Sequence, residues 1–173
     1  MRTCHRRTLV AAWFVPAVVL ASSATEGTLE VGVTIRGDST GFGPRHVVAV
    51  WIEDAQGRHV RTLAVEGRRQ WRRLEAWRAA AGRGAGPDAV TGATRTGWGR
   101  FTASWDGTLN GGKVAPDGEY RVRIETTWWN GAGPRVDDLK FTKGPAPQQA
   151  TRPDSGPFSE IQLAWQPLVR ASP

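Results

Sequence analysis

The chain has 173 residues, a formal net charge of +7 and only one cysteine. Its length is enough for one domain with a hydrophobic core and little more. Its three histidines show no HxxH or HExxH spacing, and no GxSxG, Walker or dinucleotide-binding glycine pattern occurs. The composition therefore gives no support to a zinc or haem protein, a hydrolase or a nucleotide-binding fold.

The first residues have the three parts of an export signal. The basic segment MRTCHRR precedes the apolar run TLVAAWFVPAVVLA, and the small residues of SSATEG follow. We predict a signal peptide at 1–24, cleaved near Ala24, and a periplasmic or secreted domain at 25–173. The apolar run is short for a membrane span, although a retained anchor is the alternative. A Sec signal is expected, and the arginine pair in HRRTLV leaves a Tat signal open.

Cleavage would change the composition of the folded domain. Arg2, Arg6 and Arg7 leave with the signal, so the formal charge falls by three, from +7 to +4. Cys4 leaves as well, which excludes disulfides and thiolate chemistry from the mature chain. Stability must then come from packing, to which the eight tryptophans remaining of nine are expected to contribute.

From Leu29 onward the chain has the alternation of a β-protein. In TLEVGVTIR the apolar residues occupy every second position, the period of a half-buried strand. HVVAVWIED and RHVRTLAVEG are separated by AQG, which predicts a hairpin turning at Gln56-Gly57. Four later runs complete a set of seven: GRFTASWDG, EYRVRIETTWW, VDDLKFTKG and SEIQLAWQP. We predict a single all-β fold over 25–173, an immunoglobulin-like antiparallel β-sandwich.

Two segments interrupt this pattern. Within 68–81, Trp71, Leu74 and Trp77 fall near helical spacing with arginines between them, which predicts one short amphipathic helix laid over one end of the sandwich. Segment 144–157 is rich in Pro, Gln and Ser and predicts a long surface loop. Because the domain is exported, the arginines are expected to form a solvated face or to meet an anionic surface, and no nucleic acid is expected as a partner.

The stretch WDGTLNGGKVAPDGEY, 105–120, has two interpretations. The spacing of Asp106, Thr108, Asn110, Gly111 and Asp117 roughly imitates a calcium loop. Strands rather than helices flank the stretch, however, and its last position is Asp instead of a bidentate Glu. Asn-Gly-Gly and Pro-Asp-Gly are turn sequences, so a structural hairpin is favoured over a metal site. The stretch resembles the WDG…VPDGxY hairpin of immunoglobulin-like modules such as the one in flagellar hook-capping proteins, which implies a fold and no activity.

The stretch DAVTGATRT, 88–96, carries the one indication of chemistry. No base lies within a few positions of Thr94, so its hydroxyl does not form a catalytic centre by itself. Gly92 permits a sharp turn and Ala93 is small, which would present the Thr94 hydroxyl to another enzyme. The simpler alternative is that VTGATRTG is a tight loop leading into the strand at Phe101.

This stretch resembles D-x-x-[S/T]-G-A-T, the acceptor sequence of bacterial flavin transferases. The FMN-binding domains of sodium-pumping NADH:quinone reductases and Rnf-type complexes carry that sequence, and FMN is moved from FAD onto its last threonine as a phosphoester. The resemblance covers nine residues and implies covalent FMN on Thr94. Arg95 lies in a variable position of that sequence, but an arginine there is well suited to neutralise the phosphate, and Trp98 is close enough in sequence to be a candidate stacking partner of the flavin. The matching positions are Asp88, Thr91, Gly92, Ala93, Thr94 and Thr96.

A longer resemblance covers nearly the whole mature chain. Segments from VVAVWIEDAQGRHVRTLAV through DAVTGATRTG and PDGEYRVRIE to IQLAWQP are similar to a family of predicted periplasmic proteins of unknown function. Genes of that family often lie near flavin transferases and PepSY-type membrane proteins, which implies a flavin transferase and a membrane redox protein as partners. The mature chain is expected to have no membrane span and no independent catalytic site. The alternative is a non-redox binding or scaffold module that holds a periplasmic partner through Arg69, Arg72 and Arg73.

Overall fold

A computed structural model describes residues 24–36, 47–82, 99–127 and 135–168 of the chain. The helical part consists of a 3₁₀ helix at Arg68–Arg73 and helix α1 at Glu75–Ala81. The strands are β1 (Gly27–Ile35), β2 (Val47–Asp54), β3 (His59–Glu66), β4 (Gly99–Trp105), β5 (Gly118–Thr127), β6 (Arg135–Lys143), β7 (Gln148–Arg152) and β8 (Phe158–Pro167).

The strands form two antiparallel sheets of four. The first sheet has the order β4-β1-β8-β7, and the second has the order β3-β2-β5-β6. The predicted all-β sandwich with one short helix is confirmed, and the predicted hairpin joins β2 to β3 around Gly57. Among the described residues, no helix has the length and apolar character needed to cross a bilayer.

The main core lies between the two sheets. Alternation in β1 places Leu29, Val31, Val33 and Ile35 in this core, while Glu30 is exposed on the other face. Its aromatic end is a cluster in which ring centroids lie 5.4–6.4 Å apart. The members of this cluster are Trp105, Tyr120, Phe141 and Trp165.

Helix α1 covers the outer face of the second sheet, so the prediction that it lies over one end of the sandwich is wrong. Leu74 and Trp77 pack there against Val47, Ala49 and Trp51 in a second hydrophobic cluster. Because β2 is apolar on both faces, its outward side chains need a cover, and the helix supplies it. The sequence VVAVWI is thus a strand buried on both sides rather than an alternating one.

The segment predicted as a surface loop, 144–157, contains strand β7, so that prediction is wrong over Gln148–Arg152. This strand pairs with β8 at the edge of the first sheet, with Gln148 opposite Trp165. Its residues QQATR are mostly polar because one face of an edge strand meets solvent. Main-chain hydrogen bonds to β8, rather than an apolar pattern, define this strand.

Candidate functional site

The residues predicted to form the flavin site all lie outside the described residues. They are Asp88, Thr91, Gly92, Ala93, Thr94, Arg95, Thr96 and Trp98. The structure describes the residues on either side of this segment: Gly82 follows α1 and Gly99 begins β4. Both glycines have positive φ angles, +95° and +136°, and a β-carbon at either would have no described atom within 4 Å. In the chain, the segment 83–98 follows the helix on one sheet and precedes β4, an edge strand of the other sheet.

A cleft of about 310 Å³ lies on the outer face of the first sheet, beside the beginning of β4. Two small residues of the middle strands, Gly32 in β1 and Ala164 in β8, form its floor. Gly32 pairs with Thr102 on one side and with Gln162 on the other, so polar side chains flank the depression. The remaining lining side chains are Glu30, Arg100, Gln149 and Thr151, with Val31, Ala150 and Leu163 beneath them.

Arg100 lies directly over the glycine of this cleft. A β-carbon at Gly32 would stand only 2.3 Å from the Arg100 Nη2 atom and 3.4 Å from the Gln162 Nε2 atom. The absence of a side chain at Gly32 is therefore what allows a guanidinium and an amide to reach the floor. Arg100 Nη1 is also 3.9 Å from Glu160 Oε2, an ion pair in which both side chains are substantially exposed.

The stretch with the spacing of a calcium loop, 105–120, has a structural role. Asp106 Oδ1 accepts hydrogen bonds from the main-chain N–H and the hydroxyl of Thr108, at 3.0 and 2.6 Å. These bonds lower the pKa of Asp106. Asp117 points elsewhere, toward Thr25 and Lys143. Within the described part of the chain, no group of three or more His, Cys, Asp or Glu side chains is arranged to hold a metal ion.

A polar network beside α1 is the feature that sequence reasoning missed. Buried Glu53 accepts a hydrogen bond from Trp51 Nε1 at 2.8 Å and faces Arg123 Nη1 at 3.3 Å. The Thr62 hydroxyl links His59 Nε2, at 2.9 Å, to Trp77 Nε1, at 3.0 Å. Burial lowers the pKa of His59, and the nearby Glu53 carboxylate opposes that shift. The Trp77–Thr62 bond joins α1 to the second sheet and the other contacts lie within that sheet, so we interpret the network as structural.

Glu125 of β5 forms the cap of helix α1. Its carboxylate oxygens accept hydrogen bonds from the main-chain N–H groups of Ala76, at 3.1 Å, and Trp77, at 2.8 Å. The residue before the helix, Leu74, makes no side-chain cap bond. Burial raises the pKa of Glu125, while the main-chain N–H donors oppose the shift. A carboxylate from a distant strand thus satisfies donors that the helix itself leaves unpaired.

Replacing Glu125 by Gln is expected to lower the free energy of unfolding by about 1–3 kcal/mol at neutral pH, because an amide NH₂ then faces a helix N–H donor. The raised pKa adds stability to the wild type below the ordinary value near 4.5, and this contribution is lost as pH rises through the folded-state pKa. The difference between the two proteins should therefore grow as the pH falls.

Urea denaturation between pH 4 and 7 measures this difference. Glu119→Gln, on an exposed position of the same strand, is the matched control and should follow the wild type closely. A difference for Glu125→Gln that shrinks on acidification would contradict the dominance of burial over the helix N–H donors in setting the pKa of Glu125. An equal stability of the two proteins at neutral pH would contradict the cap.

The arginines proposed for the alternative binding function are only partly described. Arg72 and Arg73 are exposed, and the Arg72 guanidinium lies 5.2 Å from the centroid of the Trp71 ring. The side chain of Arg69 lies outside the described part of the chain. The exposed pair is in keeping with the predicted solvated face.

The two sheets, the helix on one outer face and the predicted export signal define an exported all-β sandwich protein. Over residues 28–156 the chain matches the DUF2271 family, whose description is a predicted periplasmic protein. The chain belongs to this family, and the periplasmic location predicted from its amino terminus is confirmed. No curated protein and no solved structure matches it. The likenesses to immunoglobulin-like modules and to flavin acceptor sequences stay predictions.

Proposed function

We propose that this protein is a periplasmic electron carrier with FMN attached covalently to Thr94. The observation that carries the proposal is the acceptor sequence in DAVTGATRT, in which an acid, a Gly-Ala pair and the surrounding threonines occupy the expected positions. The periplasmic location supports it, because the chain is then in the compartment where such transferases work.

The described residues around the acceptor segment are compatible with modification by another enzyme. Gly82 is exposed and Gly99 is half-buried, and a β-carbon at either would meet no described atom within 4 Å. The cleft over Gly32 includes Arg100, the residue after Gly99, whose guanidinium lies over the glycine.

The transfer is a substitution at phosphorus. The Thr94 Oγ atom attacks the FAD phosphorus that carries the riboflavin part, and an Oγ–P bond forms. The pyrophosphate P–O bond breaks, AMP leaves, and the hydroxyl proton passes to a base of the transferase or to water. FMN held in this way would supply reversible electron uptake and release, and the chain would supply the tether. By their chemistry, Arg95 is the candidate to neutralise the phosphate and Trp98 the candidate to stack on the ring.

Incubation of the mature protein with a flavin transferase, FAD and Mg²⁺, followed by intact mass measurement, tests the proposal. Wild type should gain the mass of one FMN less one water, and Thr94→Ala should gain nothing, because the hydroxyl that forms the phosphoester is gone. Thr96→Ala is the matched control and should still be labelled. Unmodified wild type, or equal labelling of Thr94→Ala, would overturn the proposal.

A further inference from the structure

We propose that the export signal is cut between Ala24 and Thr25 and that the fold then holds the new α-ammonium group of Thr25 against the carboxylate of Asp117. Cleavage is a hydrolysis. The hydroxyl of a water molecule is transferred to the Ala24 carbonyl carbon and its proton to the Thr25 nitrogen, so a neutral amide N–H becomes an amine that is cationic at neutral pH. The inference goes beyond the proposed function and does not depend on it, because none of its residues belongs to the acceptor sequence.

Thr25 is bound to the domain through all three of its polar groups. Its main-chain N–H donates to Asp117 Oδ1 and its hydroxyl donates to Asp117 Oδ2, each at 2.7 Å. Its carbonyl oxygen accepts from Lys143 Nζ at 2.5 Å. Thr25 is half-buried, whereas Ala24, on the other side of the bond, is exposed. The nitrogen that cleavage converts into an ammonium group therefore already lies on a carboxylate.

The amino-acid sequence selects the same bond. Signal peptidases need small residues at the first and third positions before the cut, and Ala24 and Ser22 occupy those positions. That requirement concerns only the signal, whereas the contacts of Thr25 depend on Asp117, 92 positions away. Two independent observations thus point to one bond.

The Asp117 carboxylate can accept from both Thr25 and Lys143. A carboxylate offers about four lone-pair sites, and Lys143 Nζ lies 3.1 Å from Oδ1. The Asp117 side chain is 11% exposed, so its attraction to a charged amine is screened less than at the surface. The Lys143 ammonium opposes part of this gain, but solvent access at half-buried Thr25 weakens the repulsion between the two cations. The bond to the ammonium group is therefore stronger than the bond to the amide N–H of the precursor.

This ion pair ties the two sheets together. Thr25 lies two residues before β1 of the first sheet, and Asp117 directly precedes β5 of the second sheet. In the precursor the link is the hydrogen bond of an amide, whereas in the mature protein it becomes an ion pair. Removal of the signal thus adds stability to the sandwich.

Export of the full chain, followed by recovery from the periplasm and intact mass measurement, tests the position of the cut. The wild type should have the mass of residues 25–173. The comparison variant has Gly-Ser inserted between Ala24 and Thr25. It should also be cut after Ala24, so it has the same net charge, but its ammonium group lies two residues before Thr25.

Thermal unfolding of the two processed proteins measures the contribution of the ammonium group. At pH 7 the wild type should melt about 2–4 °C above the insertion variant, the shift that one favourable interaction gives in a domain of this size. The Asp117 carboxylate raises the pKa of the α-amino group above its ordinary value of about 8. A raised pKa stabilises the fold below that ordinary value, and the contribution is lost as the pH rises through the folded-state pKa. The difference should therefore disappear by about pH 10, since Asp117, Lys143 and the adjacent Glu26 are present in both proteins.

Asp117→Asn tests the acceptor. It should lower the melting temperature of both chains, because Lys143 loses its anionic partner, and it should abolish the difference between them. Glu119→Gln, exposed two residues further along, is the matched control and should preserve that difference. If Asp117→Asn does not fold, the pH dependence of the wild type and the insertion variant decides in its place. An exported chain that begins at another residue or keeps residues 1–24, or an insertion variant as stable as wild type at neutral pH, would overturn the proposal.

Discussion

Replacing Lys143 by Met should lower the free energy of unfolding by about 3–5 kcal/mol, because breaking a buried ion pair leaves the remaining polar groups uncompensated. Lys143 is completely buried. Its ammonium donates to the carbonyl oxygens of Thr25 and Ala115, at 2.5 and 2.8 Å, and to Asp117 Oδ1 at 3.1 Å. It also lies 5.4 Å from the centroid of the Trp165 ring.

The Lys143 ammonium joins three separate parts of the chain. Asp117 also accepts from the main-chain N–H and the hydroxyl of Thr25, each at 2.7 Å. The residues just before β1, the turn before β5 and the end of β6 thus meet at one cation. A methionine fills the space of the lysine stem but donates nothing, so two carbonyls and a carboxylate lose a partner.

Urea denaturation monitored by tryptophan fluorescence measures this loss. Lys140→Met, on an exposed position of the same strand, is the matched control and should change the free energy of unfolding by less than about 0.5 kcal/mol. A Lys143→Met variant as stable as this control would show that the ammonium does not hold the three segments together.

Replacing Trp165 by Ala should lower the free energy of unfolding by about 3–5 kcal/mol, because it removes a large side chain from a packed core. Trp165 of β8 is completely buried, and its ring centroid lies 6.4 Å from that of Trp105. Its Nε1–H donates to the carbonyl oxygen of Gly144 at 2.8 Å. The substitution therefore loses both packing and a buried hydrogen bond.

A second variant separates these two losses. Trp165→Phe keeps most of the ring but leaves the Gly144 carbonyl without its donor, so it should cost about 1–3 kcal/mol. Gln166→Ala, at the exposed neighbouring position, is the control. Thermal unfolding, monitored by circular dichroism, gives the order of stability of the three variants. A Trp165→Ala protein that melts with the control would mean that the aromatic cluster contributes little to stability.

The strands were predictable because their signal is local. In β1 the apolar residues occupy every second position, which predicts that their side chains face the same side of the sheet. The structure places all four of them, Leu29, Val31, Val33 and Ile35, in the core. The turn at Gly57 and the helical segment after Gly67 are likewise predicted by residues that lie close together in the sequence. The position of the helix and the existence of strand β7 were not predicted correctly. The helix packs on the apolar outer face of β2, and β7 pairs with the free edge of β8, so both depend on parts of the chain that are distant in sequence.

By itself, the sequence determined the all-β class, the β2–β3 hairpin, the short helix, the export of the chain and the presence of an acceptor-like sequence around Thr94. All of these depend on residues close together in the chain. Only the tertiary structure decided that Lys143 and Glu125 are buried, since the partners of Lys143 include Thr25, 118 positions away, and Glu125 caps a helix 48 positions away. The cleft likewise exists only after folding, because Gly32, Arg100 and Gln162 become neighbours through the pairing of three strands.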